Sequence, residues 1–107
     1  MTFIKETHEQ AEVIKVNSSI FFDAVQEFDA LIQEAEESQL KVVVDFSGSE
    51  MVCSSAITTL VKHHMSLKNK GGSLIISGCN VSVKKIFQLL GLDKVIKMFD
   101  TLQAALD

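Results

Sequence analysis

The 107-residue sequence has no proline and no arginine, only two cysteines, and no apolar run near the roughly 18 residues that a membrane-crossing helix needs. Each shortage removes a class of protein. Without arginine, and at a net charge of −4, the chain has no basic stripe suited to a nucleic-acid backbone. Cys53 and Cys79 are too few and too isolated for a zinc cluster or a disulfide framework, so two reduced thiols are expected. The first residues, including Phe3-Ile4-Lys5-Glu6, lack a basic region followed by an apolar stretch. No secretory signal is read there, and a cytoplasmic protein is expected. Lacking proline, the chain must mark its turns with glycine, asparagine and serine.

What is present describes one folded domain over residues 1–107, because 47% hydrophobic and 22% charged residues can build a proper core. The charge is unevenly placed. Residues 1–50 carry three lysines against eleven carboxylates, and residues 51–107 carry seven lysines against three. Much of the acid falls in 23–29 and in Glu34-Ala35-Glu36-Glu37, a run expected on the solvated face of a helix.

Hydrophobic spacing sets the order of elements. Phe3-Ile4 and Val13-Ile14-Val16 predict two short strands around a polar turn. Phe21, Ala24, Val25, Phe28, Leu31, Ile32 and Ala35 follow the i, i+3, i+4 rule for a helix. Leu40–Phe46 is nearly continuous and rich in valine, as a strand buried on both faces should be. A second helix follows Ser54, with Ile57, Leu60, Val61, His64 and Leu67 along one face, and Lys70-Gly71-Gly72 stops it. Ser73–Ser77 predicts a strand. Asn80 caps a third helix on which Val83, Ile86, Phe87 and Leu90 share a face. Lys94–Phe99 and Thr101–Leu106 close the chain as strand and helix. Strands alternating with helices predict an α/β fold: a mixed, mostly parallel sheet of four or five strands packed with about four helices.

Catalytic chemistry finds little support. A hydrolase elbow needs Gly-x-Ser-x-Gly, and Cys53-Ser54-Ser55-Ala56-Ile57 does not supply it. His63 and His64 lie about 14 Å along the helix axis from the serines at ~1.5 Å per residue, beyond hydrogen-bond reach. His63 is expected on the solvated face and His64 half-covered by the sheet. No carboxylate pair or phosphate loop stands out, so no enzyme, metal or cofactor is expected. The serine pair remains. Ser54 sits where a side-chain oxygen caps a helix, and capping alone would explain it. The other reading is a phosphoacceptor: a phosphate adds about −1.5 to −2 charge where the helix dipole tolerates an anion best.

At this point the chain resembles the STAS domain, the family named for sulfate transporters and anti-sigma factor antagonists. Val42-Val43-Val44-Asp45-Phe46-Ser47-Gly48, Ser54-Ser55, Gly71-Gly72-Ser73-Leu74 and the run from Val83 to Gly91-Leu92 carry the likeness, which extends from about Ile4 to Leu106. The free-standing anti-sigma factor antagonists are the nearest in pattern. The resemblance implies a partner-switching regulator of transcription. Its phosphorylation site would be Ser54, with Ser55 as the alternative. Its partners would be an anti-sigma factor that is a serine kinase with a GHKL-type ATP-binding domain, and a PP2C-type phosphatase. Met51, Val52, Cys53, Ser55 and Thr58 would form the docking face, although Met51 and Val52 could equally be plain core. Lys84 and Lys85 could order a loop carrying phosphoserine.

Three departures from the family pattern matter. Cys53 replaces the usual aspartate before the serine, Ala56-Ile57-Thr58 replaces Gly-Leu-Gly, and Ser18-Ser19-Ile20-Phe21 replaces a Gly-x-Leu-Asp turn. Two carboxylates near the site are thus missing. That eases an incoming phosphate and removes polar contacts a kinase could use. Cys53 is either a thiol activated beside a helix start or a small half-buried residue. The missing acids also admit an alternative, a STAS scaffold subunit of a larger complex with little or no phosphorylation.

Overall fold

The computed structural model describes residues 2–107. Five strands, β1 (Phe3–Thr7), β2 (Glu12–Val16), β3 (Lys41–Asp45), β4 (Ser73–Ser77) and β5 (Lys97–Phe99), form one sheet in the order β1-β2-β3-β4-β5. Only the β1–β2 pair is antiparallel; the other three pairings are parallel. The helices are α1 (Val25–Ser38), α2 (Ser54–Asn69), α3 (Val81–Leu89) and α4 (Leu102–Leu106), with short 3-10 turns at Phe22–Ala24 and Leu92–Lys94.

Side chains alternate across a strand, so a run buried on both faces must feed two cores. Val42 and Val44 join Ile14, Leu74 and Ile76 beneath α1, α2 and α3. Val43 faces the other way with Val13 and Ile75, where only α4 covers the sheet through Ala105. On the thick side, four phenylalanines run in a chain: Phe3 to Phe28 at 5.4 Å, Phe28 to Phe46 at 6.5 Å, and Phe46 to Phe87 at 5.7 Å between ring centroids. Each such pair adds about 0.5–1.5 kcal/mol beyond simple burial, and together they tie β1 to α1, the end of β3 and α3.

The ends of α2 differ in kind. At its C-terminus Gly71 adopts φ +83°, its N–H bonds Lys68 O at 3.1 Å, and the Gly72 N–H bonds Leu67 O at 2.8 Å. That left-handed stop satisfies the last carbonyls and turns the chain into β4.

Several expected placements are corrected. Phe21 does not begin the first helix. It precedes a 3-10 turn and is exposed, as is Phe22, because a loop pairing described below fixes this stretch before α1 can start. Leu40 lies outside β3 and is exposed. Leu90 and Ile86 point outward; only Val83 and Phe87 of α3 are buried, since a nine-residue helix lying on the core presents a narrow stripe. Glu36 is buried rather than solvated, with a relative exposure of 4%, because its face of α1 meets α2.

Candidate functional site

The mouth of α2 is fixed by the loop that leads into it. At the end of β3 the Asp45 carboxylate is buried and accepts hydrogen bonds from Ser47 Oγ at 2.7 Å and Ser77 Oγ at 2.8 Å. The Ser49 N–H donates to Phe46 O at 2.9 Å, and its Oγ donates to Met51 O at 3.3 Å. Asn80 Nδ2 reaches Ser49 O at 3.4 Å from the start of α3. On the other side Ile20 and Val52 form a parallel bridge: the Ile20 N–H donates to Met51 O at 2.8 Å, and the Cys53 N–H to Ile20 O at 3.0 Å. Gly48 is required for this close passage, since a Cβ there would sit 2.8 Å from Asn17 Cα. The Asp-Phe-Ser-Gly stretch therefore builds a rigid approach to the helix.

Ser54 does not cap α2. Cys53 holds the cap position at φ −71° and ψ 160° and makes no side-chain cap bond, while Ser54 is the first helical residue and exposed. A residue one step inside the helix points outward, so its oxygen cannot fold back onto the donors of the first turn. The contrast within the molecule is plain. Asn80 Oδ1 caps α3 by accepting from the Val83 N–H at 2.8 Å, and Thr101 Oγ1 caps α4 by accepting from the Ala104 N–H at 3.1 Å. At α2 the thiol of Cys53 instead lies 3.4 Å from Ser55 Oγ. The Thr58 and Thr59 hydroxyls donate back to Ser54 O and Ser55 O at 3.2 and 2.9 Å, one turn earlier in the helix.

The other residues proposed for docking separate in space. Met51 is 53% exposed and Thr58 is exposed beside Ser54, while Cys53 and Ser55 are half-buried. Val52 is 7% exposed and packs in the main core, because the bridge to Ile20 turns it inward; its side chain is removed from the docking face. Two grooves flank the open face of α2. One, of about 430 Å³, runs between α1 and α2 past Phe22, Asp29, Ser55, Thr59 and Lys62. The other, about 550 Å³ and largely apolar, lies toward the end of α3 and is lined by Ser54, Ile57, Thr58, Val61, Leu90 and Leu92. Phe22, missed as a surface residue, stands 83% exposed at the first groove. Lys84 is paired with Asp100 at 3.2 Å, and Lys85 is exposed on the same helix.

Farther down α2 the expectation for His63 is reversed. Its side chain is 1% exposed, with Nε2 2.6 Å from Asp29 Oδ1 and Nδ1 3.2 Å from Glu36 Oε1. Lys62 Nζ also meets Asp29 Oδ1, at 2.7 Å. The hydrogen bond from Lys62, reinforced by that from His63, holds the Asp29 carboxyl below its ordinary range against the opposing effect of burial. The sequence does hold a signal for this. Asp29 and Glu36 stand seven apart on α1, hence on one face, and His63 follows Leu60 by three and precedes Leu67 by four. His64, half-buried as expected, has its imidazole pushed down by burial and then by the Lys68 charge.

The family model described as the STAS domain matches residues 2–105. Among solved structures, an anti-sigma factor antagonist from Mycobacterium paratuberculosis superimposes with a TM-score of 0.89 at 24% identity, over 98% of this chain and 90% of that one. The anti-sigma factor antagonist SpoIIAA in its unphosphorylated form gives a TM-score of 0.84 at 23% identity, over 98% and 93%. The Bacillus cell fate determinant SpoIIAA in the phosphorylated form gives 0.77 at 22%, over 98% and 96%. The chain belongs to the STAS domain family.

Proposed function

We propose that this STAS domain is a non-enzymatic partner-switching regulator, an anti-sigma factor antagonist whose switch is Ser54. Unphosphorylated, it binds an anti-sigma factor that is a serine kinase with a GHKL-type ATP-binding domain, and so frees that protein's other client. Phosphorylation of Ser54 releases it, and a PP2C-type phosphatase resets it. The process belongs in the cytoplasm; no helix among the described residues is long and apolar enough to cross a membrane.

One observation carries the reading. Ser54 is exposed at the start of a sixteen-residue helix whose mouth no side chain caps. A phosphate there meets free N–H donors and the positive end of the dipole, so the domain tolerates the charge while its surface changes sign. The pinned approach loop keeps the acceptor in one place. The adjoining face offers a partner what recognition needs: exposed Met51 and Phe22, and an apolar groove beginning at Ser54 itself. SpoIIAA, known in both phosphorylated and unphosphorylated forms on the same fold, lends the reading support.

The test is to incubate the protein with its cognate kinase and ATP and to locate the product by mass spectrometry. A single phosphate on Ser54 is expected. Phosphate on another residue, Ser55 included, with Ser54 untouched would overturn the assignment.

A further inference from the structure

We infer that His63 is held as an imidazolium between Asp29 and Glu36, making the seam between α1 and α2 a latch closed by a proton. A neutral imidazole has one N–H and one bare nitrogen, whereas a carboxylate only accepts. Here both ring nitrogens face carboxylate oxygens, Nε2 at 2.6 Å and Nδ1 at 3.2 Å. Asp29 stays ionised because Lys62 also donates to it, so Nε2 must carry a proton. The remaining nitrogen then either turns a lone pair toward Glu36 Oε1 or takes a proton of its own.

Burial decides between these. His63 and Glu36 side chains are each 1% exposed, so no bulk water separates a lone pair from a negative oxygen. Among the described residues the charged groups in contact with the ring are Asp29 and Glu36 from α1, while Lys62 from α2 meets Asp29. Ser66 Oγ adds a long hydrogen bond of 3.4 Å to Glu36 Oε1, and Glu36 Oε2 has no partner among the described residues. With both protons on the ring, Asp29, Glu36, Lys62 and His63 sum to zero charge. Without the second proton the cluster is negative and Glu36 is left buried with one weak donor. The other arrangement, with that proton on Glu36 Oε1 and Nδ1 accepting it, is the one the nitrogen spectrum below separates. Metal binding does not account for the arrangement, since among the described residues no group of three or more His, Cys, Asp or Glu is placed to hold an ion.

The latch sits directly under the groove beside Ser55, for Asp29 and Lys62 line that groove while His63 holds Asp29 from below. The proton therefore helps set the groove's shape, whatever the phosphorylation state of Ser54.

Nitrogen NMR of the full chain, labelled at its histidine rings and recorded at pH 7, tests this directly. Both ring nitrogens of His63 should give the signature of protonated nitrogen. In Glu36→Gln, whose amide can donate to a bare nitrogen, one of the two should convert to the unprotonated signature. A bare nitrogen at His63 in the parent would overturn the inference, whether the missing proton proved to lie on Glu36 or nowhere. Two ring protons persisting in Glu36→Gln would overturn it as well. Should that variant fail to fold, the parent spectrum decides alone.

Discussion

The first turn of α2 and its third turn are built on opposite plans. At the first, no side-chain cap is made, no charged residue stands in the turn, and Ser54 is open to solvent. At the third, His63 is sealed, and both of its polar atoms are engaged by carboxylates from α1. One end of the helix is left free to accept a charge; the middle is already closed around its polar groups. A helix can change its surface without unfolding only if something other than that surface fixes it. In this chain the fixing is done by the α1–α2 seam, the core beneath it and the left-handed stop at Gly71.

The comparison breaks most visibly at the third turn. His63→Leu leaves Glu36 buried with only the weak Ser66 contact, and removing one partner of a buried pair costs about 3–5 kcal/mol. Urea unfolding at pH 7 should show a loss of unfolding free energy of that size, read as a lower midpoint at unchanged slope. His63→Leu combined with Glu36→Leu should recover most of it, because well-packed apolar pairs often replace buried ion pairs at little cost. A loss under about 1 kcal/mol in the single variant would mean the seam tolerates open charges after all, and the two regions would not differ as described.

At the first turn the expected effect is on binding. Ser54→Asp should weaken association with the kinase at least tenfold, about 1.4 kcal/mol, while moving stability by no more than about 0.5 kcal/mol as an exposed substitution does. Calorimetric titration beside the same urea curves checks both. Parent-like binding would sink the switch. Smaller still is the change expected from Cys53→Ser. The cap position already has the extended backbone a cap needs, and lacks only an effective acceptor. Supplying the hydroxyl should stabilise the domain by about 0.5–1 kcal/mol. An unchanged midpoint would show that the mouth is satisfied by water as it stands.

Much of this was legible in the sequence for a physical reason. Strand and helix periods, the glycine stop after α2 and the Asn80 cap are local signals, written within a few residues of where they act. The alternation of strands and helices and the mostly parallel sheet follow from them, whereas the strand order does not, and the cap position falls on Cys53, one residue before the Ser54 that the pattern suggests. The missed features depend on which face of one helix meets another. The spacing on α2 places His64 correctly as half-covered but leaves His63 on the solvated face, and an acidic run hides the one carboxylate of 34–37, Glu36, that turns inward. Phe21 fits the helical spacing, yet the bridge between Ile20 and Val52 holds the chain extended before it and the helix starts later. Val52 was ambiguous between core and surface until that bridge fixed its direction.

The finest test of the contrast uses the two adjacent histidines of α2, since His64 has no carboxylate partner where His63 has two. His64 Nδ1 is buried without a hydrogen bond, and burial followed by the Lys68 charge depresses its pKa from the ordinary 6.5. A depressed value means that the unfolded chain binds a proton the folded chain refuses. Stability from this group is thus complete above about pH 6.5 and is lost as pH falls through the lower folded value. The carboxyls held low, Asp29 and Glu6, act in a different window, because their contributions begin to fade only below their ordinary values of 3.8 and 4.5. Between pH 7 and pH 5, subtracting the urea midpoints of His64→Gln from those of the parent isolates the imidazole, since contributions shared by both proteins cancel. The parent should lose more stability than the variant over that range, by a small amount because the ring is half-exposed and solvent screens it. Equal losses in the two proteins would show that His64 titrates freely. Proximity to a partner would then not be what separates neighbouring positions of this helix.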